Sequence, residues 1–230
     1  MNILVTSAAS PMGTLLAASI QQSGHDVRRT DLTARANAHI TACDLEHGDE
    51  TDSLVTNIDA IVHVGYAGQE GDETALIDYH TRCTYNLLFA AAQAGVERVI
   101  HISTLHLYER YEENLTVTEN WRPLPIASDA QLLACHLGEI TAKEFARDRL
   151  LRVLNMRLGF PVVEGDLATA RASGQTAAVA TQDIALAVER ALHCELDYWQ
   201  CAHLQSHVDQ PRFLLQRATT MGLVGEEAHA

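Results

Sequence analysis

Basic residues are scarce: 16 Lys and Arg stand against 30 Asp and Glu in 230 residues, giving a formal charge of −14. No run of Lys or Arg offsets this locally, so a phosphate backbone or an anionic membrane surface would be repelled, and nucleic acid and membrane are excluded as expected partners. Long hydrophobic runs are missing too. The opening MNILVTSAAS has no basic lead and only a few consecutive apolar residues, which predicts neither a secretory signal nor a membrane span. The five cysteines, Cys43, Cys83, Cys135, Cys194 and Cys201, are odd in number and scattered, with no CxxC pair and no close Cys/His cluster of zinc-finger spacing. That pattern predicts free thiols, a cytoplasmic location and no metal centre. Internal repeats and low-complexity tracts are also lacking.

What is present is a core: 47% of the residues are hydrophobic, enough for one sizeable domain. Short β-branched runs alternate with longer stretches of helical period, which predicts βαβ units and a parallel sheet. Strands are expected near Ile3–Thr6, Asp26–Thr30, His39–Cys43, Ala60–Val64, Arg98–Ser103 and Leu151–Arg157. Helices are expected near Gly13–Gln22, Asp52–Thr56, Glu73–Ala94, Asp129–Arg149 and Thr181–His193. Gly95 is a natural helix stop. The segment Arg110–Ser128, with Trp121, Pro123 and Pro125, has no sustained period and reads as a long loop of the kind that is usually functional.

The first strand, turn and helix, ILVTSAASPMGTLLAASIQQSG, resemble the nucleotide-binding turn TGxxGxxG of the extended short-chain dehydrogenase/reductases, the NAD-dependent epimerase/dehydratase group. Thr6, Ser7, Ser10 and Gly13 occupy the motif positions, with Met12 beside Gly13, so only the third glycine is kept. The three glycines have different tasks: a tight turn, close approach of backbone to pyrophosphate, and close packing of helix on strand. Ser7 then has to enter backbone space that glycine visits freely, at about 1 kcal/mol, and Ser10 places a Cβ where phosphates would lie. Asp31, at the end of the second strand, stands where a carboxylate accepts the hydrogen bonds of an adenosine ribose, which favours NAD over NADP, although Arg28 and Arg29 precede it. Asp44 and Leu45 resemble the family's pair beside adenine, and Val64 and Gly65 end a DAIVHVG strand similar to one that lines the cofactor.

The resemblance continues in order. NLLFAAAQAGVERVIHISTLHLY, TENWRPLP, MRLGFPV and TQDIALAVERAL all resemble family segments, covering roughly residues 1–195. It implies one α/β domain over 1–230, a Rossmann-like doubly wound parallel sheet with helices on both faces. Residues 159–230 would form a small substrate-side portion, which disfavours large nucleotide-sugar substrates. A homodimer through the helices Glu73–Ala94 and Asp129–Arg149 is implied as well, consistent with the apolar breadth of those segments.

At the catalytic end the family uses a Ser or Thr after the fifth strand and a YxxxK pair on the following helix, whose lysine lowers the tyrosine pKa. Thr104, with Ser103 beside it, takes the hydroxyl position. Alignment through Gly138-Glu139 puts Gln131 in the tyrosine position and Cys135 in the lysine position, and Tyr-x-x-x-Lys occurs nowhere in the chain. An amide does not exchange a proton near neutrality and a thiol carries no cation. The expectation is an NAD-type nucleotide-binding protein with a dismantled redox site, in a binding, sensing or non-redox role. The alternative is an NAD-dependent oxidoreductase or epimerase for a small sugar-like or carbonyl substrate, using Thr104 and a substitute acid/base from Tyr66, His106 or Tyr108. His80, His63 and His101 are further histidines near the same end of the sheet, the last two read as hydrogen-bonded core residues. A metal site from His63, His101 and His106 is disfavoured, because strand alternation should scatter them.

Overall fold

The structure, a computed structural model, describes residues 1–32, 39–65 and 72–225. The chain runs β1 (Asn2–Val5), α1 (Pro11–Gln22), β2 (Asp26–Asp31), β3 (Ile40–Ala42), α2 (Asp49–Val55), β4 (Ala60–His63), α3 (Glu73–Asp78), a π-helical turn (Tyr79–Cys83), α4 (Thr84–Gln93) and β5 (Arg98–Thr104). A 3₁₀ turn (Leu105–Tyr108), α5 (Ala130–Arg147), β6 (Arg152–Leu158), β7 (Phe160–Val162), α6 (Leu167–Ala172), β8 (Ala178–Ala180), α7 (Thr181–Ala191), β9 (Trp199–Leu204) and α8 (Gln216–Thr220) follow. Seven parallel strands form one sheet in the order β3-β2-β1-β4-β5-β6-β9, and β7 and β8 pair separately. Strand order reverses between β1 and β4, so the crevice outside their carboxyl ends is where such a sheet receives ligands.

Strand alternation divides the core. Ile3, Val5, Val62, Ile100 and Leu154 pack with α1 and α7, while Leu4, Ile61, Val99 and Val153 point the other way onto α4 and α5. Burial on both faces is why these strands read as continuous apolar runs. Helix starts are chemically specified. The Ser10 side chain accepts the Gly13 N–H with Pro11 at the first helical position, and Asp129 accepts the Leu132 N–H to open α5. Gly95, in the left-handed region at φ 80°, follows α4 as expected.

The expected helix Glu73–Ala94 is present without a break from Glu73 to Gln93, but it is not α-helical throughout. Thr84 bonds back to the Tyr79 carbonyl through both its N–H and its hydroxyl, five residues back, which makes the turn at Tyr79–Cys83 a π-bulge. The sequence pattern also missed β7, β8, α6 and α8, which are too short to show a period, and β9, whose WQCAHL mixes polar and apolar residues. The segment from Arg110 to Ser128 carries no helix or strand but is tied down. Val117 bridges to the chain at Arg212 and Leu214, and the Tyr108 and Tyr111 hydroxyls donate to the carbonyls of Trp121 and Arg122. Among the described residues no helix is long and apolar enough to cross a membrane.

Candidate active site

At the β1–α1 turn Ser7 adopts φ 44°, the left-handed conformation a glycine would take there, and its hydroxyl donates to the Tyr79 hydroxyl at 2.9 Å. Gly13 is required by contact: a Cβ there would lie 2.1 Å from the Ser7 carbonyl oxygen. The Ser10 hydroxyl serves as the α1 cap. Thr6, expected at the cofactor, is fully buried, its hydroxyl bonded to the Val64 backbone and to His63 Nδ1 across β4, so its side chain joins the two strands. Met12 packs on the α1/α7 core and Val64 is buried. Gly65 accommodates His80, whose Cε1 would lie 2.7 Å from an added Cβ.

Asp31 ends β2 with its carboxylate turned to the same turn, accepting the Ala9 N–H at 3.0 Å and the Leu32 N–H at 2.8 Å. Each oxygen retains a lone pair, so the carboxylate can still accept from a diol. Arg28 and Arg29 are engaged elsewhere. The former donates to the carbonyls of Ser53, Leu54 and Thr56 at the end of α2, and the latter to Gln21 Oε1 at 2.6 Å. Asp44 is exposed and accepts the Glu46 N–H, whereas Leu45 is buried at φ 54° with its carbonyl bonded by Asn86. A left-handed turn, a close-packed helix start and a carboxylate beside them are the parts a dinucleotide requires, and these residues fit one.

Thr104 closes β5. Its Oγ1 accepts the His106 N–H at 3.2 Å, which leaves its own O–H free to donate. His106 is partly exposed and its Nδ1 pairs with Glu109. His106 and Glu109 line a cavity of about 700 Å³ at the carboxyl ends of β5 and β6, together with Glu113, Gly159, Gln175 and Arg212, and Thr104 immediately precedes Leu105 of its wall. Tyr108 does not face it. That ring is fully buried and its hydroxyl meets Arg157 and the Trp121 carbonyl. Burial drives its pKa upwards despite the guanidinium, so Tyr108 is corrected from candidate acid/base to core residue. Ser103 is likewise committed, donating to Glu139 Oε1 at 2.6 Å. Gln131 is exposed on α5 and its amide reaches the Cys135 sulfur at 3.7 Å. Burial pushes the Cys135 thiol up to about 11, which makes it a poor nucleophile at neutral pH. Tyr66 lies outside the described residues.

Behind this end of the sheet is a polar network in which His63 and His101 are the hydrogen-bonded core residues expected, but whose partners the sequence reading missed. His63 and His101 are register partners on β4 and β5 with ring centroids 5.6 Å apart, so alternation aligns them rather than scattering them. His63 bonds Thr6 and Thr84. His101 Nδ1 bonds Asn155 Oδ1 at 2.6 Å, and Asn155 donates to Glu139 at 2.9 Å. Burial lowers the pKa of both histidines, so they are neutral structural groups. The available signal was the i, i+2 spacing of His101 with Ser103 and of Asn155 with Arg157, polar pairs on one face of strands whose other interior positions are apolar. His80, on the π-bulge, and His101 both flank Gly138, where an added Cβ would sit 3.2 Å and 3.3 Å from their rings.

The chain is 29% identical to a uronate dehydrogenase of Pseudomonas syringae pv. tomato over 120 residues, half of this chain and 44% of that protein. It is 27% identical to an L-arabinose 1-dehydrogenase (NAD(P)(+)) of Haloferax volcanii over 177 residues, 69% of this chain and 66% of that one. The matched segments thus span about half to two thirds of these curated relatives. Its fold is that of the glucuronic acid dehydrogenase from Chromohalobacter salexigens, with a TM-score of 0.80 at 22% identity over 98% of this chain and 84% of the other. The model of the NAD dependent epimerase/dehydratase family matches residues 3–199. With nearly the whole sheet inside that match and the nucleotide turn in place, the chain belongs to the NAD dependent epimerase/dehydratase family.

Proposed function

We propose that the protein is an NAD-dependent oxidoreductase for a small, uncharged sugar-like substrate, with Thr104 and the His106–Glu109 pair replacing the family's tyrosine and lysine. The observation that carries this is the position of His106. It stands two residues beyond Thr104, carries a carboxylate partner on Nδ1, and lines the cavity at the carboxyl ends of the strands. The Thr104 hydroxyl would hold the substrate oxygen by donating to it. His106 Nε2 would take the proton of the reacting hydroxyl, and Glu109 would stabilise the resulting imidazolium, an arrangement worth about 100- to 10,000-fold. Bound in the crevice, the nicotinamide supplies the hydride acceptor. Asp31, with Arg28 and Arg29 tied up elsewhere, supports NAD over NADP.

The neutral substrate follows from charge. Glu109 and Glu113 line the cavity against Arg212, whose Nη2 is occupied by the carbonyls of Tyr108 and Tyr111. That balance suits an aldose such as the one named for the Haloferax relative better than a uronate. The test is NADH formation from NAD⁺ with L-arabinose and related aldoses against D-glucuronate. Turnover with an aldose that falls by about 100-fold or more in His106→Ala, but by less than about tenfold in Gln131→Ala, supports the assignment. A second reading is favoured by Gln131 and Cys135 themselves: a nucleotide-binding protein without redox turnover. NAD binding with no turnover on either sugar class would select it.

A further inference from the structure

We propose that His25, Glu189 and His193 form a binding site for one divalent transition-metal ion, with Zn²⁺ the best match. His25 stands in the turn between α1 and β2, whereas Glu189 lies on α7 and His193 just beyond its end, four residues later and on the same face. Helical spacing pairs Glu189 with His193, and tertiary folding brings His25 to them. His25 Nε2 is 3.1 Å from Glu189 Oε1, and His193 Nε2 is 3.4 Å from the same oxygen. All three candidate ligand atoms lie within 4.8 Å of one another. Tetrahedral zinc with bonds of about 2.0–2.1 Å to nitrogen and oxygen holds its donors roughly 3.3 Å apart. The two spacings on Glu189 fall on either side of that value.

A second observation concerns the carboxylate. Glu189 Oε1 faces both histidines, whereas Oε2, the other oxygen of the same carboxylate, is buried with no hydrogen-bond partner among the described residues, an expensive state that a cation on Oε1 offsets through its charge and meets directly only in bidentate binding. The two imidazoles, with centroids 5.5 Å apart and tilted by 35°, both present Nε2 to this carboxylate. His25 and Glu189 are largely covered and His193 is 58% exposed, so the site has fixed walls and an open side for entry and for a water as fourth ligand. Zinc on His25 Nε2 puts the ring proton on Nδ1. The Met1 amine, 3.4 Å away, must then turn aside or meet it as a neutral acceptor. Nitrogen and oxygen donors with no thiolate suit Zn²⁺ over soft Cu(I), and two histidines suit it over Mg²⁺ or Ca²⁺.

The site is at the amino end of β2, whereas Asp31 and the nucleotide turn are at the carboxyl end. Its role would be to clip the α1–β2 turn to α7, steadying the helix whose start faces the cofactor crevice, and no catalytic part is assigned to it. The test uses chelator-stripped full chain titrated calorimetrically with ZnCl₂. A single site of micromolar or tighter affinity is expected, weakened by at least about tenfold in His193→Ala and in Glu189→Gln, since losing a ligand costs no less than losing the partner that orients one. Thermal melts should rise by about 5 °C or more at a hundredfold excess over Kd, and not in the variants. Cobalt(II) should give tetrahedral visible bands without a thiolate charge-transfer band, and Cys194→Ser should leave binding intact. Binding that is absent, unchanged in His193→Ala, or abolished by Cys194→Ser would overturn the site. His193 is exposed enough that its variant should fold, and circular dichroism of the apo proteins verifies this.

Discussion

Arg157 grips Glu139 with two hydrogen bonds, Nε to Oε1 at 2.8 Å and Nη2 to Oε2 at 2.6 Å, in a pair whose side chains are 6% and 5% exposed between β6 and α5. Burial by itself would raise the Glu139 pKa, but Arg157, Ser103 and Asn155 outweigh it and hold the carboxyl below its ordinary range. Glu139→Gln should therefore cost about 3–5 kcal/mol in urea unfolding by leaving a guanidinium uncompensated. The paired apolar change Glu139→Leu with Arg157→Met should cost less than the single change. Equal losses would show that the pair itself, and not the stranded charge, carries the stability.

Acid should destabilise the fold from below about pH 6.5. Burial lowers the pKa of His63 and His101, and pushes His203 down to about 3, so these rings stay neutral in the folded chain while the unfolded chain takes up protons. Their contribution is intact above the unfolded histidine value and is lost as pH falls from there towards the folded values. Three such groups give a slope of at most about 4 kcal/mol per pH unit. Glu139, with its depressed pKa, adds to the loss only below the ordinary glutamate range. Urea midpoints measured from pH 8 to 4 should show the decline beginning at the histidine step, and a flat profile to pH 5 would contradict it.

Ser7 and Gly13 should differ in their response to substitution. Gly13→Ala drives a Cβ to 2.1 Å from the Ser7 carbonyl and should cost about 1–3 kcal/mol or more and weaken nucleotide binding. Ser7→Gly relieves about 1 kcal/mol of left-handed strain but loses the bond to Tyr79, of similar worth, so its thermal midpoint should scarcely move.

Asp31→Ala should narrow the gap between NADH and NADPH affinity in a calorimetric comparison, with NADH the tighter ligand in the unaltered protein. Stronger NADPH binding there would mean that Arg28 or Arg29 leaves its present partners.

A homodimer through α4 and α5 is expected from the outward-facing Tyr85, 51% exposed, and Ile140, 45% exposed. Light scattering should return about twice 25.2 kDa, and Ile140→Glu should shift the protein towards monomer. A monomer at tens of micromolar, roughly where an interface of ordinary size holds, would remove the dimer.

The sequence by itself determined six of the seven strands of the main sheet and the turn at its nucleotide end. Apolar strands two-sidedly buried, Ser10-Pro11 at a helix start, Gly13 and Asp31 all act within short βαβ stretches, so local spacing carries their meaning. It also determined that Tyr-x-x-x-Lys occurs nowhere in the chain, since that is a matter of residue identity. Tertiary structure decided which substitutes are available. Tyr108 and His106 are two residues apart in the sequence, yet one turns inward onto Arg157 and the other lines the cavity, because a 3₁₀ turn with no readable period sets their directions. The π-bulge, the buried column from His63 to Glu139, and the meeting of His25 with Glu189 and His193 likewise depend on strands and helices far apart in the chain. No local pattern encodes them, because a polar residue in a strand becomes a network only when its neighbour across the sheet supplies the partner.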